Sequence, residues 1–177
     1  ILELHQKYVN LSTGVNNEGT KTIGPWQGQI STSFNNTMGN NEAFTFGLSA
    51  APAKNGMKVF NVGYKQPLGS DGWVLSLNAS TSRTHPSGTL TDLRNYGSSD
   101  TFVMSLNYHM LRMKFRSLMT GVSLTIKNGS NDTRLTGAIT KDRLRVFSGH
   151  IQYDFSDQWQ GQNILNVTAF KGVNGMG

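Results

Sequence analysis

The sequence has no cysteine, so it can hold neither a disulfide framework nor a thiolate metal site. Charge is also scarce. Charged residues make up 15% of the 177, well below the roughly 25% of an ordinary soluble domain. No stretch approaches the ~20 consecutive apolar residues of a membrane-spanning helix. No basic-then-apolar leader opens the chain, and Ile1 is not an initiator methionine, so the segment reads as the interior of a longer chain. Ser, Thr, Asn and Gly stand where charges are missing, alongside 36% hydrophobic residues. The net charge of +6 could serve nucleic acid, an anionic membrane surface or solvated loops. Lys and Arg sit scattered at segment ends, which favours the solvated reading and argues against a nucleic-acid partner.

Hydrophobicity repeats with a period of two, and helical spacing is hard to find. Trp73, Leu75, Leu77, Ala79 and Thr81 alternate with Val74, Ser76, Asn78 and Ser80; Phe102, Met104, Leu106 and Tyr108 alternate with Val103, Ser105 and Asn107. Leu118, Thr120, Val122, Leu124 and Ile126 alternate with Met119, Gly121, Ser123 and Thr125, and Phe147, Ile151, Tyr153 and Phe155 with Ser148, His150, Gln152 and Asp154. Earlier, Trp26, Ile30 and Phe34 oppose Gln27, Gln29, Ser31 and Ser33, and Phe44, Phe46, Leu48 and Ala50 oppose Thr45, Gly47 and Ser49. Successive strand side chains point to opposite faces, so each segment has one apolar and one small polar face.

Breakers at 16–19, 35–41, 52–56, 67–72, 84–95, 109–114, 127–143 and 156–162 divide the chain into about nine strands. From Asn35 onward short and long connections alternate, as in a hairpin stack with short turns at one end and long loops at the other. The windows 72–82, 101–111, 117–126 and 158–170 contain no Asp, Glu, Lys or Arg. They have about the ~9–11 residues that a tilted strand needs to cross hydrocarbon. A soluble sandwich would place Lys and Glu on the solvent face of such strands; here that face carries Ser, Asn, Thr and Gln. A charge on a lipid face would cost roughly 2–4 kcal/mol at the midplane, which gives its avoidance a physical cause. Trp26, Trp73, Trp159, Tyr64, Tyr96, Tyr108 and Tyr153 lie near strand ends, where interfacial girdles form.

The pattern predicts an all-β, antiparallel transmembrane β-barrel, and a partial one. Nine is an odd strand number, whereas bacterial barrels close with an even one, and unpaired edges in lipid are costly. The lumen-lining residues are expected to be Gln27, Gln29, Ser31, Ser33, Ser76, Asn78, Ser80, Ser105, Asn107, Ser148, His150, Gln152 and Asp154. The lipid-facing ones are expected to be Trp73, Leu75, Leu77, Phe102, Met104, Leu106, Leu118, Val122, Leu124, Phe147, Ile151 and Tyr153.

Little in the sequence suggests chemistry. His5, His85, His109 and His150 have no zinc-ligand spacing, with His85 and His109 read as lying in connections. No G-x-S-x-G elbow, Walker loop or dinucleotide fingerprint occurs. His150 and Asp154 lie four residues apart on one strand face, about 13 Å along the strand, too far for a direct catalytic hydrogen bond. No enzyme activity, metal or cofactor is expected. Two basic groups, Arg112, Lys114, Arg116 and Lys141, Arg143, Arg145, are read as charged rims in preference to an anionic-lipid or substrate contact. The Asn-x-Ser/Thr triplets at Asn10, Asn35, Asn78, Asn128, Asn131 and Asn166 are expected by chance in so Asn/Ser/Thr-rich a chain.

The order of turn motifs is more informative. Asn16-Asn-Glu-Gly19 precedes Thr22-Ile-Gly24-Pro-Trp26; Asn36-Thr-Met-Gly39 forms a further turn; Tyr64-Lys-Gln-Pro-Leu-Gly69 leads to Trp73; Tyr96-Gly-Ser98 leads to Tyr108 and Arg112; and Tyr153 precedes Asp157. In this order they resemble the barrel of two-partner secretion transporters, the ShlB/FhaC-type haemolysin secretion and activation proteins. The match departs at Asn16, where the family has Asp. The resemblance implies that residues 1–177 are part of a C-terminal barrel domain of roughly 16 strands, with periplasmic POTRA domains and the remaining strands outside this sequence. It implies a pore in the bacterial outer membrane, monomeric at full length and surrounded by lipid. Such a pore exports, and in some cases activates, a secreted partner in unfolded form, such as a haemolysin or filamentous adhesin, without a cofactor. The competing readings are a general porin or passive membrane barrel, a soluble β-sandwich adhesin or binding module, and a barrel enzyme.

Overall fold

The alternation of the sequence becomes nine β-strands in a computed structural model that describes residues 7–20, 24–51, 56–85, 95–133, 138–157, 159 and 161–173. The strands are β1 (Val9–Asn16), β2 (Gln27–Asn35), β3 (Ala43–Ala50), β4 (Met57–Leu68), β5 (Trp73–Thr84), β6 (Asn95–Met113), β7 (Arg116–Thr133), β8 (Ala138–Ser156) and β9 (Gln162–Gly172). Among the described residues every regular element is a strand. The strands form one sheet in sequence order, each antiparallel to its chain neighbours. β1 and β9 are its two ends and do not pair with each other among the described residues. Among the described residues no second sheet lies against the first, so the arrangement is not that of a sandwich.

An antiparallel meander sends alternate connections to opposite ends. Asn36–Glu42, Gly69–Gly72, Lys114–Phe115 and 157–161 lie at one end, the short-turn end. The turn after Pro67-Leu68 needs positive φ at Gly69 (67°) and Gly72 (90°), which residues without Cβ reach at no steric cost. In the β2–β3 turn the same backbone region is occupied by Asn36 and Asn41, at 54° and 56°.

Two expected connections turn out to be strand. His109 lies within β6, paired with Met119, and the turn that follows is only Lys114–Phe115. The connection expected over 127–143 is mostly ladder: β7 runs to Thr133 and β8 starts at Ala138, with Asn128 opposite Arg143 and Ser130 opposite Lys141. Backbone hydrogen bonds continue the ladder where both faces carry polar residues, and polar pairs such as Ser98 Oγ with Ser130 Oγ, 2.8 Å apart, tie the strands without any apolar alternation. β6, β7 and β8 therefore reach 19, 18 and 19 residues, against 8 to 12 in β1–β5. Most of the expected connections at 52–56 and 84–95, together with His5 and Thr22, fall outside the described residues.

The sheet has almost no interior. Its accessible surface is 12729 Å², whereas a globular protein of 19.4 kDa would expose roughly 8,500 Å². Ala51 and Val74 are the buried hydrophobic residues among those described. Phe102 and Met104 keep 38% and 43% of their surface exposed, so their row is not packed in a dry core.

Candidate functional site

The residue pairs across the ladder set the two faces of the sheet. On one face Ser76, Ser105, Ser123 and Ser148 stand opposite one another in a single row across β5–β8. The neighbouring row carries Asn107, Gly121 and His150, and the next His109, Met119 and Gln152. Asn78 and Ser80 belong to this face through their pairing with Val103 and Thr101. Asp154 belongs to it opposite Ser117. On β2, Gln27, Gln29, Ser31 and Ser33 share a face and stand opposite Asn16, Gly14, Ser12 and Asn10. This is the polar face. It has few ions near its middle.

The opposite face is apolar. Leu75, Leu106 and Val122 form one row; Leu77, Met104, Leu124 and Phe147 the next; Trp73, Tyr108, Thr120 and Ile151 a third. Phe102 pairs with Ile126, and Leu118 with Tyr153. β3 and β4 extend the same face with Phe44 opposite Tyr64 and Phe46 opposite Val62.

Side chains of the polar face bind one another along the wall. Ser123 Oγ and Ser148 Oγ are 2.7 Å apart, and Asn10 Nδ2 donates to Ser33 Oγ at 3.3 Å. Gln152 Nε2 donates to both carboxylate oxygens of Asp154 at 3.0 and 3.1 Å. That carboxylate is thus engaged by Gln152. Glycines make room for side chains to lie down. A Cβ at Gly121 would come 2.2 Å from Asn107 Oδ1 and 2.7 Å from His150 Cε1, and one at Gly47 would come 2.4 Å from Asn61 Oδ1. Both residues on either side of Gly121 thereby rest against bare backbone. Among the described residues no group of His, Asp and Glu is arranged to hold a metal ion.

The rims of the apolar face differ. Toward the short-turn end it carries paired rings, Phe44 with Tyr64 at 4.8 Å, Trp73 with Tyr108 at 4.6 Å, and Tyr153 with Phe155 at 5.2 Å between centroids, and also Arg116 opposite Phe155. Toward the other end it carries cations: Lys58 opposite Ala50, Arg83 opposite Ser98, Arg145 opposite Ile126, Arg143, Lys141, and Lys171 opposite Phe147.

Three features escape a reading of pattern alone. The first is an irregularity in β6: His109 pairs with Met119 but Leu111 pairs with Leu118, leaving Met110 as an extra residue. Such a bulge re-aims the strand beyond it. Leu111 then shares the apolar face with Leu118, and Arg112, opposite Ser117, joins the polar face. The other two are carboxylates in turns. Glu42 is 1% exposed and accepts hydrogen bonds from the backbone N–H of Met38 (2.5 Å), the N–H of Asn40 (3.0 Å) and Thr37 Oγ1 (3.1 Å). Those donors, the Met38 N–H foremost, hold its carboxyl below the usual range. Asp157 accepts the N–H of Gly161 (2.7 Å) and of Trp159 (3.0 Å) and Asn163 Nδ2 (3.2 Å). The Gly161 N–H leads in lowering its pKa.

Comparison with known proteins bears on this arrangement. The family described as haemolysin secretion/activation protein ShlB/FhaC/HecB matches residues 2–175. A sequence search of curated proteins returned no match. Three solved chains match by structure. One is CdiB from Escherichia coli, 19% identical, with a TM-score of 0.86 over 99% of this chain and 33% of that one. The likeness is one of fold, and this chain spans about a third of the length of CdiB.

Proposed function

The chain belongs to the haemolysin secretion/activation protein family ShlB/FhaC/HecB, and from that premise we propose that it forms part of the wall of an outer-membrane pore exporting a secreted partner protein. The observation that carries this reading is the separation of the two faces in a sheet with no interior. Rows of Leu, Met, Phe and Val that no other layer covers among the described residues form a continuous apolar face of the kind a soluble monomer rarely exposes, and lipid is the solvent that suits them. On the other side, hydroxyls and amides suit a water-filled lumen. They offer hydrogen bonds to an extended polypeptide but little apolar surface to trap it. The exported partner would pass in unfolded form; the family description names haemolysin, and a filamentous adhesin is the second candidate. The chain would be part of a C-terminal barrel domain completed by further strands, preceded by POTRA domains. Passage along such a wall requires no bond to be made or broken, so no cofactor enters the proposal.

The absence of cysteine in this chain makes the reading directly testable. Single cysteines replacing Ser105 and Ser123 should react with a water-soluble maleimide when the protein carrying this chain is folded in a bilayer. Cysteines replacing Met104 and Val122, one residue away, should stay unlabelled. Equal labelling of both sets would sink the membrane-wall reading. The export role has its own readout: partner protein in the culture medium should depend on the barrel, and secretion that continues without it would overturn that part.

A further inference from the structure

Two neighbouring turns at the short-turn end leave a groove between them. The Lys114–Phe115 turn joins β6 to β7, and 157–161 joins β8 to β9. The Ser156 N–H donates to the Phe115 carbonyl at 2.9 Å, which ties one turn to the other. Asp157 fixes its own turn through the three hydrogen bonds it accepts, and its N–H donates to the Gly161 carbonyl at 3.0 Å. From these anchored turns two rings stand out: Phe115 is 60% exposed and Trp159 89%. The groove beside them holds about 1000 Å³ and is lined also by Met113, Phe155 and Gln162. A second depression, of about 350 Å³, shares Phe115 and those three residues and goes on to Ser117, Asp154 and Ile164. Met113 and Phe155 lie on the apolar face, whereas Ser117, Asp154 and Ile164 belong to the polar one. The two depressions together therefore cross the rim of the sheet. Rings at a membrane boundary ordinarily anchor among headgroups, but lipid reaches only the apolar face. A groove that continues onto the polar face suits a polypeptide better than a lipid. Its lining does not call for an ionic partner, since Lys114 and Arg116 are balanced by Asp154 and Asp157.

We propose that the groove between the Lys114–Phe115 and 157–161 turns seats apolar side chains of the exported polypeptide as it enters the pore in extended form. This rests on the export reading above, in which the short turns face the periplasm. An extended chain sends alternate side chains to opposite sides, so aromatic or aliphatic residues can dock on Phe115 and Trp159 while those between them face water. Exposed aromatic rings are the side chains that carry most of the energy in such contacts. Beyond Ser117 the entering chain meets the hydroxyls and amides of the polar face.

The test uses the protein carrying this chain, folded in bilayer nanodiscs, and a short fluorescent peptide of serine and asparagine that contains two phenylalanines. Anisotropy should show saturable binding. Phe115→Ser/Trp159→Ser should weaken it at least about tenfold. Trp73→Ser, on the same rim but outside the groove, should bind the peptide as the unaltered protein does. A peptide with serine in place of both phenylalanines should not bind. Should the double variant fail to fold, Gln162→Cys is folded first and then capped with a bulky maleimide, which has no cysteine to react with in the unaltered chain; the cap should abolish binding. Equal affinity in the folded double variant or in the capped protein overturns the proposal, as does equal binding of the all-polar peptide. A photoreactive group at position 115 that cross-links within the same protein instead of to the peptide overturns it too, because a fixed part of the molecule then fills the groove. Secretion of the partner unchanged by the double variant would sink the groove alone. Secretion that does not depend on the barrel at all would sink the export reading.

Discussion

Arg112 stands opposite Ser117, one residue out of step with the His109–Met119 pair next to it. Were Met110 to occupy a regular ladder position instead of standing out as an extra residue, alternation along β6 would carry Arg112 to the side of Tyr108 and Leu106. The slip puts the guanidinium among polar groups and returns Leu111 to the apolar side, opposite Leu118. The slip thus keeps Arg112, at the end of the strand, off the apolar face.

Deleting Met110 removes the slip without moving either neighbour to the other face. Leu111 then follows His109 directly and keeps its place opposite Leu118, and Arg112 keeps its place opposite Ser117. The deletion should therefore cost roughly 1 kcal/mol or less. Urea unfolding in micelles measures it, and a much larger loss would show that the bulge itself, and not only the faces it serves, holds this end of the strand.

The two faces should tolerate charge very differently. Leu106→Arg places a cation at mid-depth on the apolar side and should cost roughly 2–4 kcal/mol, whereas Ser105→Arg, one residue away, should be close to neutral in stability. The same unfolding experiment separates them. Comparable losses in both variants would mean that the two faces see the same solvent.

Where one face must avoid water and the other must not, the sequence has to alternate, and the rows through Leu75, Leu106 and Val122 or Ser76, Ser105 and Ser123 are readable for that reason. The outer halves of β6, β7 and β8 carry no such constraint. Asn128–Thr133 and 138–143 continue the backbone ladder with polar side chains on both faces, and a polar run of this kind looks like a loop. The bulge at Met110 was hidden because it preserves the hydrophobic pattern by breaking the period. Glu42 gave a local hint, a carboxylate following Asn36-Thr-Met-Gly39, but its burial depends on the path of the turn.

Glu42 gives the β2–β3 turn a pH dependence whose sign follows from its hydrogen bonds. Its carboxyl titrates lower in the folded protein than the ordinary value of 4.5 because the Met38 N–H and its other donors favour the charged form. A group with a depressed folded pKa stabilises fully above its unfolded pKa, and that stabilisation is lost as pH falls through the folded value. The β2–β3 turn should therefore be firm at neutral pH and loosen in acid. Amide hydrogen exchange at Met38 and Asn40 reads this directly. Glu42→Gln should exchange faster than the unaltered protein at pH 7, and the difference should shrink in acid. A gap that persists at low pH would show that the charge is not what holds the turn.

Gly121 tests the shape of the wall. Asn107 and His150 lie from either side over its bare backbone, at distances a Cβ could not share. Gly121→Leu must lift both side chains away from the sheet, and if this face lines a pore they can move only into the lumen. Stability should fall modestly, by about 1 kcal/mol, because both displaced groups end at rotatable bonds and can find water. Conductance should fall more visibly, since three side chains then occupy the same level of the channel. Gly28→Leu, at an open position on the opposite face, should leave conductance unchanged, because a leucine there adds only to the surface in contact with lipid. Planar-bilayer recordings of the two variants distinguish the faces without reference to stability. A pore narrowed by Gly28→Leu but not by Gly121→Leu would reverse the assignment of lumen and lipid.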